Sequence, residues 1–405
     1  MEQALAEAAV HNAAIIGQRA RADAAGEAVT IGEAGYFPNI SVEGTARAGN
    51  LPATAGLAAP ANDQLTLDQR SLAYSVTLQQ PIFDGFKTYH TVASAEASAS
   101  AERQDLAGVT ETVLTQAAAA FADVIRNRSI VALRKQNVAN LTRELTATEQ
   151  RSAQGDASEI DMRQASARLA DASDALAAAE ADRDGASARY QMVIGHAPGE
   201  LQRPVLPAAA LPGSLDEALA MGAHANPRIL SALNREDASR HDIGIARSAM
   251  LPKVAIEAQY QRSYVQTGLP LARDQSVSVA GRASVPLFDG GAALAQTRQA
   301  KFLHAARLQA LSEQRAAVAS DIAGVWAQLA AARKRTSLNA RAVEAHRAAV
   351  DGLRRARKAG QRTTLEVLDG ERDLIEAEVR QQNSKRDLLV AAYALLAAIG
   401  QLLAP

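Results

Sequence analysis

The pentapeptide Pro81-Ile82-Phe83-Asp84-Gly85 occurs again 205 residues later as Pro286-Leu287-Phe288-Asp289-Gly290. The same spacing relates Gly155 to Gly360. It also relates two closing triplets, Val193-Ile194-Gly195 and Ala398-Ile399-Gly400. Several landmarks that share one spacing indicate an internal repeat. The chain is therefore expected to contain two halves with the same fold.

Upstream of the pentapeptides the spacing becomes 214, which relates Asn12 to Asn226 and Pro38 to Pro252. The first half therefore has a longer insert before its pentapeptide. The sequence predicts two repeats, 1–195 and 217–405, joined by a Pro-rich linker over 196–216. Each repeat is expected to run helix, strand hairpin, long helix, turn and helix, with hairpins at about 38–82 and 252–286 and turns near 155 and 360.

Proline positions predict very long helices. The 13 prolines leave two intervals of more than 115 residues empty, Pro81–Pro198 and Pro286–Pro405. Both are rich in strong helix formers, and a helix over about 85–153 would be roughly 100 Å long at ~1.5 Å per residue. Aromatic residues make up 3% of the 405 residues, and much of the 48% hydrophobic content is Ala. Such helices pack thinly, as in coiled coils.

Alternation of apolar and polar residues predicts strands in four segments: 39–47, 71–82, 253–261 and 276–285. Loops are expected near 48–69 and 266–274. Two interpretations remain open: a sheet whose apolar side packs on the helices, or the wall of a transmembrane barrel. Nine of the 14 aromatic residues lie at or near strand ends, as in a barrel's aromatic girdles: Tyr36, Phe37, Tyr74, Phe83, Phe86, Tyr89, Tyr260, Tyr264 and Phe288. Four strands cannot close a barrel, so the second interpretation requires several copies.

Other classes of protein find little support in the sequence. A net charge of −1 gives no overall attraction to nucleic acid, and the absence of Cys excludes disulfides and thiolate sites. The seven His residues have no metal-ligand spacing, and the sequence contains no nucleotide-binding or nucleophile-elbow motif. We therefore predict no enzyme, no metal, no cofactor and no nucleic-acid partner.

The duplicated helix–hairpin–helix pattern, the repeated Phe-Asp-Gly, the turn over Gly360–Asp369 and the closing Ala-Ile-Gly together resemble the TolC family of outer-membrane channels. The resemblance implies a mostly α fold with a β-barrel part. Three copies would each give four strands to a 12-stranded transmembrane barrel in outer-membrane lipid, and long helices to a coiled-coil tunnel in the periplasm. It also implies a passive duct that works with a periplasmic adaptor and an inner-membrane ABC or proton-driven transporter. Exported proteins and small toxic molecules are both possible cargo.

The resemblance also implies roles for residues at the two turns. The family's gate-holding ion pair falls on Asp161 and Arg362, and its acidic ring at the constriction falls on Glu366 and Asp369. The turns would close the tunnel and contact the adaptor through Gly155, Ser158, Gly360 and Thr363. Arg357 stands where the family often has a gate Tyr, so the bonding of the closed state is expected to differ here.

Each role has a simpler alternative. Glu366 and Asp369 share a helix face, so three copies would place six carboxylates around one pore. Carboxylates in a first helical turn also stabilise the helix by meeting its dipole, and an exposed Asp161–Arg362 pair would contribute only about 0–1 kcal/mol. For the whole protein, the alternative is a soluble periplasmic coiled-coil scaffold without a pore.

Overall fold

The computed structural model describes residues 1–52, 66–155, 158–206, 210–266 and 272–402. Within these ranges the chain is mostly α-helical, as predicted. Its elements in order are α1 Glu2–His11, α2 Ala13–Glu33, β1 Asn39–Pro52, β2 Thr66–Phe83, α3 Lys87–Ala153, α4 Glu159–Ile194, α5 Leu215–Ala225, α6 Pro227–Ser248, β3 Lys253–Gln266, β4 Ala272–Ser284, α7 Ala292–Lys358 and α8 Thr364–Ala398. No helix among these residues is both long enough and apolar enough to cross a lipid bilayer.

The predicted duplication is visible in the backbone. Helices α3 and α7 both contain 67 residues. The turns after them contain Gly155, with φ 81°, and Gly360, with φ 72°. A side chain at such positive φ values would be strained, so glycine ends both long helices at equivalent positions.

Hydrogen bonds repeat in the same way. The Asn12 side-chain amide donates to the carbonyl oxygen of Val193 at 3.1 Å, and that of Asn226 donates to the carbonyl of Ala398 at 2.8 Å. Each Asn also accepts a bond from the backbone N–H two residues later. Each Asn therefore joins the end of the last helix of its repeat to the junction between the first two helices of the same repeat.

By its contacts the chain divides into two compact units, each built from both repeats. The first contains 1–22, 101–232 and 311–405, and the second contains 23–100 and 233–310. Two buried clusters in the first unit are equivalent at the 205-residue spacing. Tyr190 in one occupies the position of Leu395 in the other. The single Trp326 packs at the position that corresponds to Phe121. The core is therefore duplicated together with the helices.

The linker residues that the structure describes pack on the helices of the first unit. The Arg128 guanidinium donates to the carbonyl oxygens of Pro198 and Gly199 at 2.9 and 2.7 Å. Leu201 packs against one buried cluster and Leu206 against another. Residues 207–209 lie outside the described ranges. The described part of this segment is thus held by both polar and apolar contacts.

The second unit contains an antiparallel sheet in the order β1-β2-β3-β4. Val42 pairs with Val76, Val76 with Tyr260, and Tyr260 with Val277, so an apolar row crosses all four strands. Val42 and Val277 are 74% and 71% exposed. The interpretation in which this apolar face packs on the helices is therefore wrong for this row.

The strands are longer than the sequence predicted. The expected loop at 48–69 is shorter, because β1 continues to Pro52 and β2 begins at Thr66. Similarly, β4 begins at Ala272, inside the second expected loop. Backbone pairing between strands does not need side-chain alternation, so the loss of alternation did not mark the strand ends. The loop residues 53–65 and 267–271 lie outside the described ranges.

A histidine pair joins α3 to α6 in the second unit. The Nδ1 atoms of His90 and His241 are 3.2 Å apart. A Cβ on Gly244 would come within 2.3 Å of the His90 ring, so this close approach requires glycine. Burial lowers the pKa of His90, and the positive charge of His241 lowers that pKa further. The pair therefore fits best with at least one ring neutral.

Candidate gate at the two helix turns

The first turn places Asp161 in a capping box. The backbone N–H of Asp161 donates to the hydroxyl oxygen of Ser158 at 3.2 Å. Its carboxylate in turn accepts from the backbone N–H and the hydroxyl of Ser158 at 3.1 and 2.9 Å. These bonds lower the pKa of Asp161, the backbone N–H most strongly. Asp161 therefore starts helix α4 in its charged form.

The second turn repeats this arrangement with Thr363 and Glu366. The Glu366 carboxylate accepts from the backbone N–H of Thr363 at 2.8 Å and from the guanidinium of Arg362 at 2.7 Å. Both donors lower the pKa of Glu366, with the backbone N–H contributing more. Of the two acids of the predicted ring, Glu366 thus has the role that the simpler alternative describes, a carboxylate that stabilises a first helical turn, and Asp161 has the same role in the first turn.

Within one chain, the two residues of the predicted latch bond to other residues and not to each other. Arg362 bonds to Glu366, and Asp161 bonds to Ser158. Both Arg362 and Glu366 are on the protein surface, so exchange of partners would cost little. A latch between Asp161 and Arg362 would therefore require Arg362 to leave Glu366, and the latch stays a prediction.

The second member of the predicted acidic ring also has a cation partner. Arg168 of α4 donates to the Asp369 carboxylate at 2.7 Å. Glu366 is paired with Arg362, so each carboxylate of the ring faces a guanidinium in its own chain. The attraction of such a ring for cations would be weaker than that of bare carboxylates, because paired charges partly cancel.

Arg357 contacts the first repeat. Its guanidinium donates to Glu144 Oε1 at 2.8 Å, and Arg151 donates to the same oxygen at 3.1 Å. The side chains of Arg357 and Glu144 are only 31% and 20% exposed. Arg357 therefore links α7 to α3 through an ion pair.

An apolar layer lies beside these ion pairs. Leu141, Ala172 and Leu368 form a buried cluster that joins α3, α4 and α8. A Cβ on Gly370 would lie 2.7 Å from the side chain of Leu353, so α7 and α8 approach each other closely at that point. The two turns are thus supported by packing as well as by charge.

Sequence reasoning missed Glu144 and Arg168, the partners of Arg357 and Asp369. The residues of these two pairs lie more than 200 positions apart in the chain. No local pattern predicts such pairs. The capping boxes did have a signal, because Ser158-x-x-Asp161 and Thr363-x-x-Glu366 match the capping-box spacing.

The chemistry of this region is that of exchangeable ion pairs. Within the described ranges, no cluster of three or more His, Asp or Glu residues could hold a metal ion. Exposed ion pairs contribute roughly 0–1 kcal/mol each and weaken with salt. The exposed Arg362–Glu366 pair beside the second glycine turn can therefore open and re-form at low cost.

Comparison with known proteins gives a family match over most of the chain. The family model described as outer membrane efflux protein matches residues 4–196 and 220–401. The unmatched segment between these ranges nearly coincides with the predicted linker.

Three curated relatives are similar over most of their length. The outer membrane efflux protein BepC of Brucella suis is 32% identical over 99% of this chain and 85% of its own. The outer membrane protein TolC of Vibrio cholerae is 23% identical over 95% and 86%. The alkaline protease secretion protein AprF of Pseudomonas aeruginosa is 23% identical over 80% and 68%.

A solved structure shows the same fold. The crystal structure of the outer membrane protein VceC from Vibrio cholerae superposes with a TM-score of 0.80 at 19% identity. The match covers 98% of this chain and 95% of VceC.

Proposed function

This chain belongs to the outer membrane efflux protein family, and from that premise we propose that it forms the passive duct of a tripartite export machine. It is an outer-membrane protein whose helices form a tunnel in the periplasm, and it serves efflux and secretion as a channel. The names of these three relatives refer to the outer membrane, to efflux and to secretion, and none of them names an enzyme activity.

The exposed apolar row of the sheet carries this proposal. A face with Val42, Val277 and Val279 each more than 70% exposed is unfavourable in water and favourable against lipid. Strands β1 and β4 form the two edges of the sheet. Unpaired edges are not tolerated in lipid, so we propose that copies join edge to edge. Three copies would close a barrel of twelve strands.

Exposed apolar residues next to the strands support membrane insertion. Leu287 and Phe288 follow β4 and are 92% and 89% exposed. Phe37 precedes β1 and is also exposed, as is Phe86 after β2. Aromatic residues at strand ends are typical of the girdles that barrels place at the membrane interface.

Helix α7 offers a second surface for neighbouring copies. Leu294, Phe302 and Leu303 are all more than half exposed in the single chain. Contiguous exposed apolar side chains mark interaction surfaces. We propose that these residues pack against another copy in the trimer.

The partners and the cargo are proposals by analogy. The glycine turns, with Ser158 and Thr363, would contact a periplasmic adaptor, and an inner-membrane transporter would supply the energy. AprF is named for protease secretion and BepC for efflux, so both kinds of cargo fit this duct. A soluble scaffold would leave the apolar row in water and is not supported.

Single-channel conductance in a planar lipid bilayer tests the pore and the latch together. The purified protein should insert and show small openings. If Asp161 and Arg362 hold the closed state between copies, Asp161→Asn and Arg362→Gln should each widen the openings, and the double variant should add little more. The exchanged pair, Asp161→Arg with Arg362→Asp, should restore small openings.

Lys334→Gln removes an exposed cation from α7, away from the two turns, and serves as the matched control. If the openings are unchanged in all gate variants, the channel proposal stands and the latch is rejected. Failure of every form to insert, in protein that stays dispersed without detergent, would reject the channel itself.

A further inference from the structure

A pocket of about 230 Å³ lies in the first unit between α3, the linker and α8. Its floor is apolar and includes Ile125, Leu206 and Leu389. Its rim is cationic, with Arg126, Arg203, Lys385 and Arg386. We call it the linker pocket. None of these residues belongs to the candidate gate or to the sheet.

Two of the four cations are neutralised by the chain itself. Arg386 donates to the Asp123 carboxylate at 2.9 Å and to Asp387 at 3.3 Å. Arg126 lies 3.5 Å from the same Asp123. Arg126 and Arg386 therefore each have a carboxylate partner within the chain, although Asp387 also lies 3.6 Å from Arg335.

The other two cations have no such balance. Within the part of the chain that the structure describes, neither Arg203 nor Lys385 has a carboxylate at ion-pair distance. Among the described residues, Lys385 donates to the amide oxygen of Gln381, at 3.4 Å. Burial lowers the pKa of Lys385, and the neighbouring charge of Arg203 lowers it further. Arg203 and Lys385, both exposed, therefore present two like charges to the same pocket beside its apolar residues, and a bound anion would reduce the repulsion between them.

We propose that the linker pocket binds a small carboxylate with an apolar body. The carboxylate would lie between Arg203 and Lys385, where charge-assisted hydrogen bonds are strong, and the body would cover Ile125 and Leu389. Pockets for drug-sized ligands measure roughly 300–1,000 Å³, so this one suits a smaller molecule, on the order of ten non-hydrogen atoms. Because Arg203 and Leu206 belong to the linker, the ligand would also hold the linker to α3 and α8.

Titration calorimetry with 4-phenylbutyrate tests this proposal. The protein is held in an amphipathic polymer rather than in detergent, so that no micelle takes up the ligand. The wild type should bind one molecule per chain with saturation. Arg203→Gln combined with Lys385→Gln should weaken binding at least tenfold, and raised salt should also weaken it. Lys385→Arg keeps the charge and should retain binding.

Two ligand controls separate charge from apolar contact. Acetate has the charge alone and 4-phenylbutan-1-ol has the apolar body alone, so both should bind at least tenfold more weakly than 4-phenylbutyrate. Lys334→Gln, which removes an exposed cation outside the pocket, should bind like the wild type. Equal binding by wild type and the double variant, or no saturable binding by a wild type of normal helical content, would overturn the proposal.

Discussion

Glu111 provides a test of how burial sets the stability of the first unit. It lies in α3 with only 5% of its surface exposed, and burial raises its pKa from 4.5 to about 7. Because the folded pKa lies above the unfolded one, the contribution of Glu111 to stability is complete below pH 4.5 and is lost as the pH rises through about 7. At ~1.4 kcal/mol per pKa unit, the loss at pH 8 amounts to about 3 kcal/mol per chain.

Glu111→Gln removes this charge at every pH. We expect the variant to be more stable than wild type at pH 8 by about 1–3 kcal/mol, since the Gln amide must also be buried. The advantage should shrink toward zero by pH 4.5. Fluorescence of the single Trp326, which packs in the same unit, can follow thermal unfolding across this pH range.

Glu149→Gln, at an exposed carboxylate on the same helix, is the matched control. It should change the unfolding free energy by less than about 0.5 kcal/mol at any pH. A Glu111→Gln variant that is less stable than wild type at pH 8, or one that keeps the wild-type pH dependence, would refute the reasoning. Either result would mean that the Glu111 carboxylate has a stabilising partner.

Three further predictions concern charge, backbone and protonation. A double-mutant cycle of Glu144→Gln and Arg357→Gln should give a coupling free energy of about 0.5–1 kcal/mol in thermal unfolding, whereas additive effects would show that the pair contributes nothing. Gly360→Ala should lower the unfolding free energy by about 1 kcal/mol because its φ is 72°. Gly352→Ala, inside α7 with open space around it, should raise it by up to about 1 kcal/mol, and equal effects of the two would contradict this. Because the folded pKa of His90 is lowered from 6.5, stability should fall as the pH drops below 6.5. His90→Gln should therefore lose less stability than wild type between pH 7.5 and 5.5, and an identical loss would exclude His90 as the source.

Much of the fold could be predicted because the sequence contains an internal repeat, so each landmark occurs in both halves. The spacing between Gly155 and Gly360 predicted equivalent turns, and both glycines have positive φ in the structure. The proline-free intervals predicted the two long helices, α3 and α7. Strand ends were less predictable, because β1 continues through Gly49 to Pro52 after its alternation has stopped.

The candidate site was predictable only where its bonds are local. Asp161 and Glu366 lie three residues after their capping partners, so sequence spacing can reveal both contacts. The partners of Arg357 and Asp369 come from the other repeat, and only the packing of distant helices brings them together. Such pairs decide which carboxylates would remain unpaired in a pore. A sequence motif alone therefore does not give the net charge of the predicted acidic ring.

The two unpaired edges of the sheet also bear on how the protein is made. A newly synthesised chain would present the edges of β1 and β4 together with the apolar row that contains Val42 and Val277. Such a surface pairs readily with any other extended strand, which is the usual start of aggregation. Correct assembly with two identical copies then competes with aggregation. The yield of correctly joined protein should therefore depend on local concentration and on holding factors that shield these strands until the copies meet.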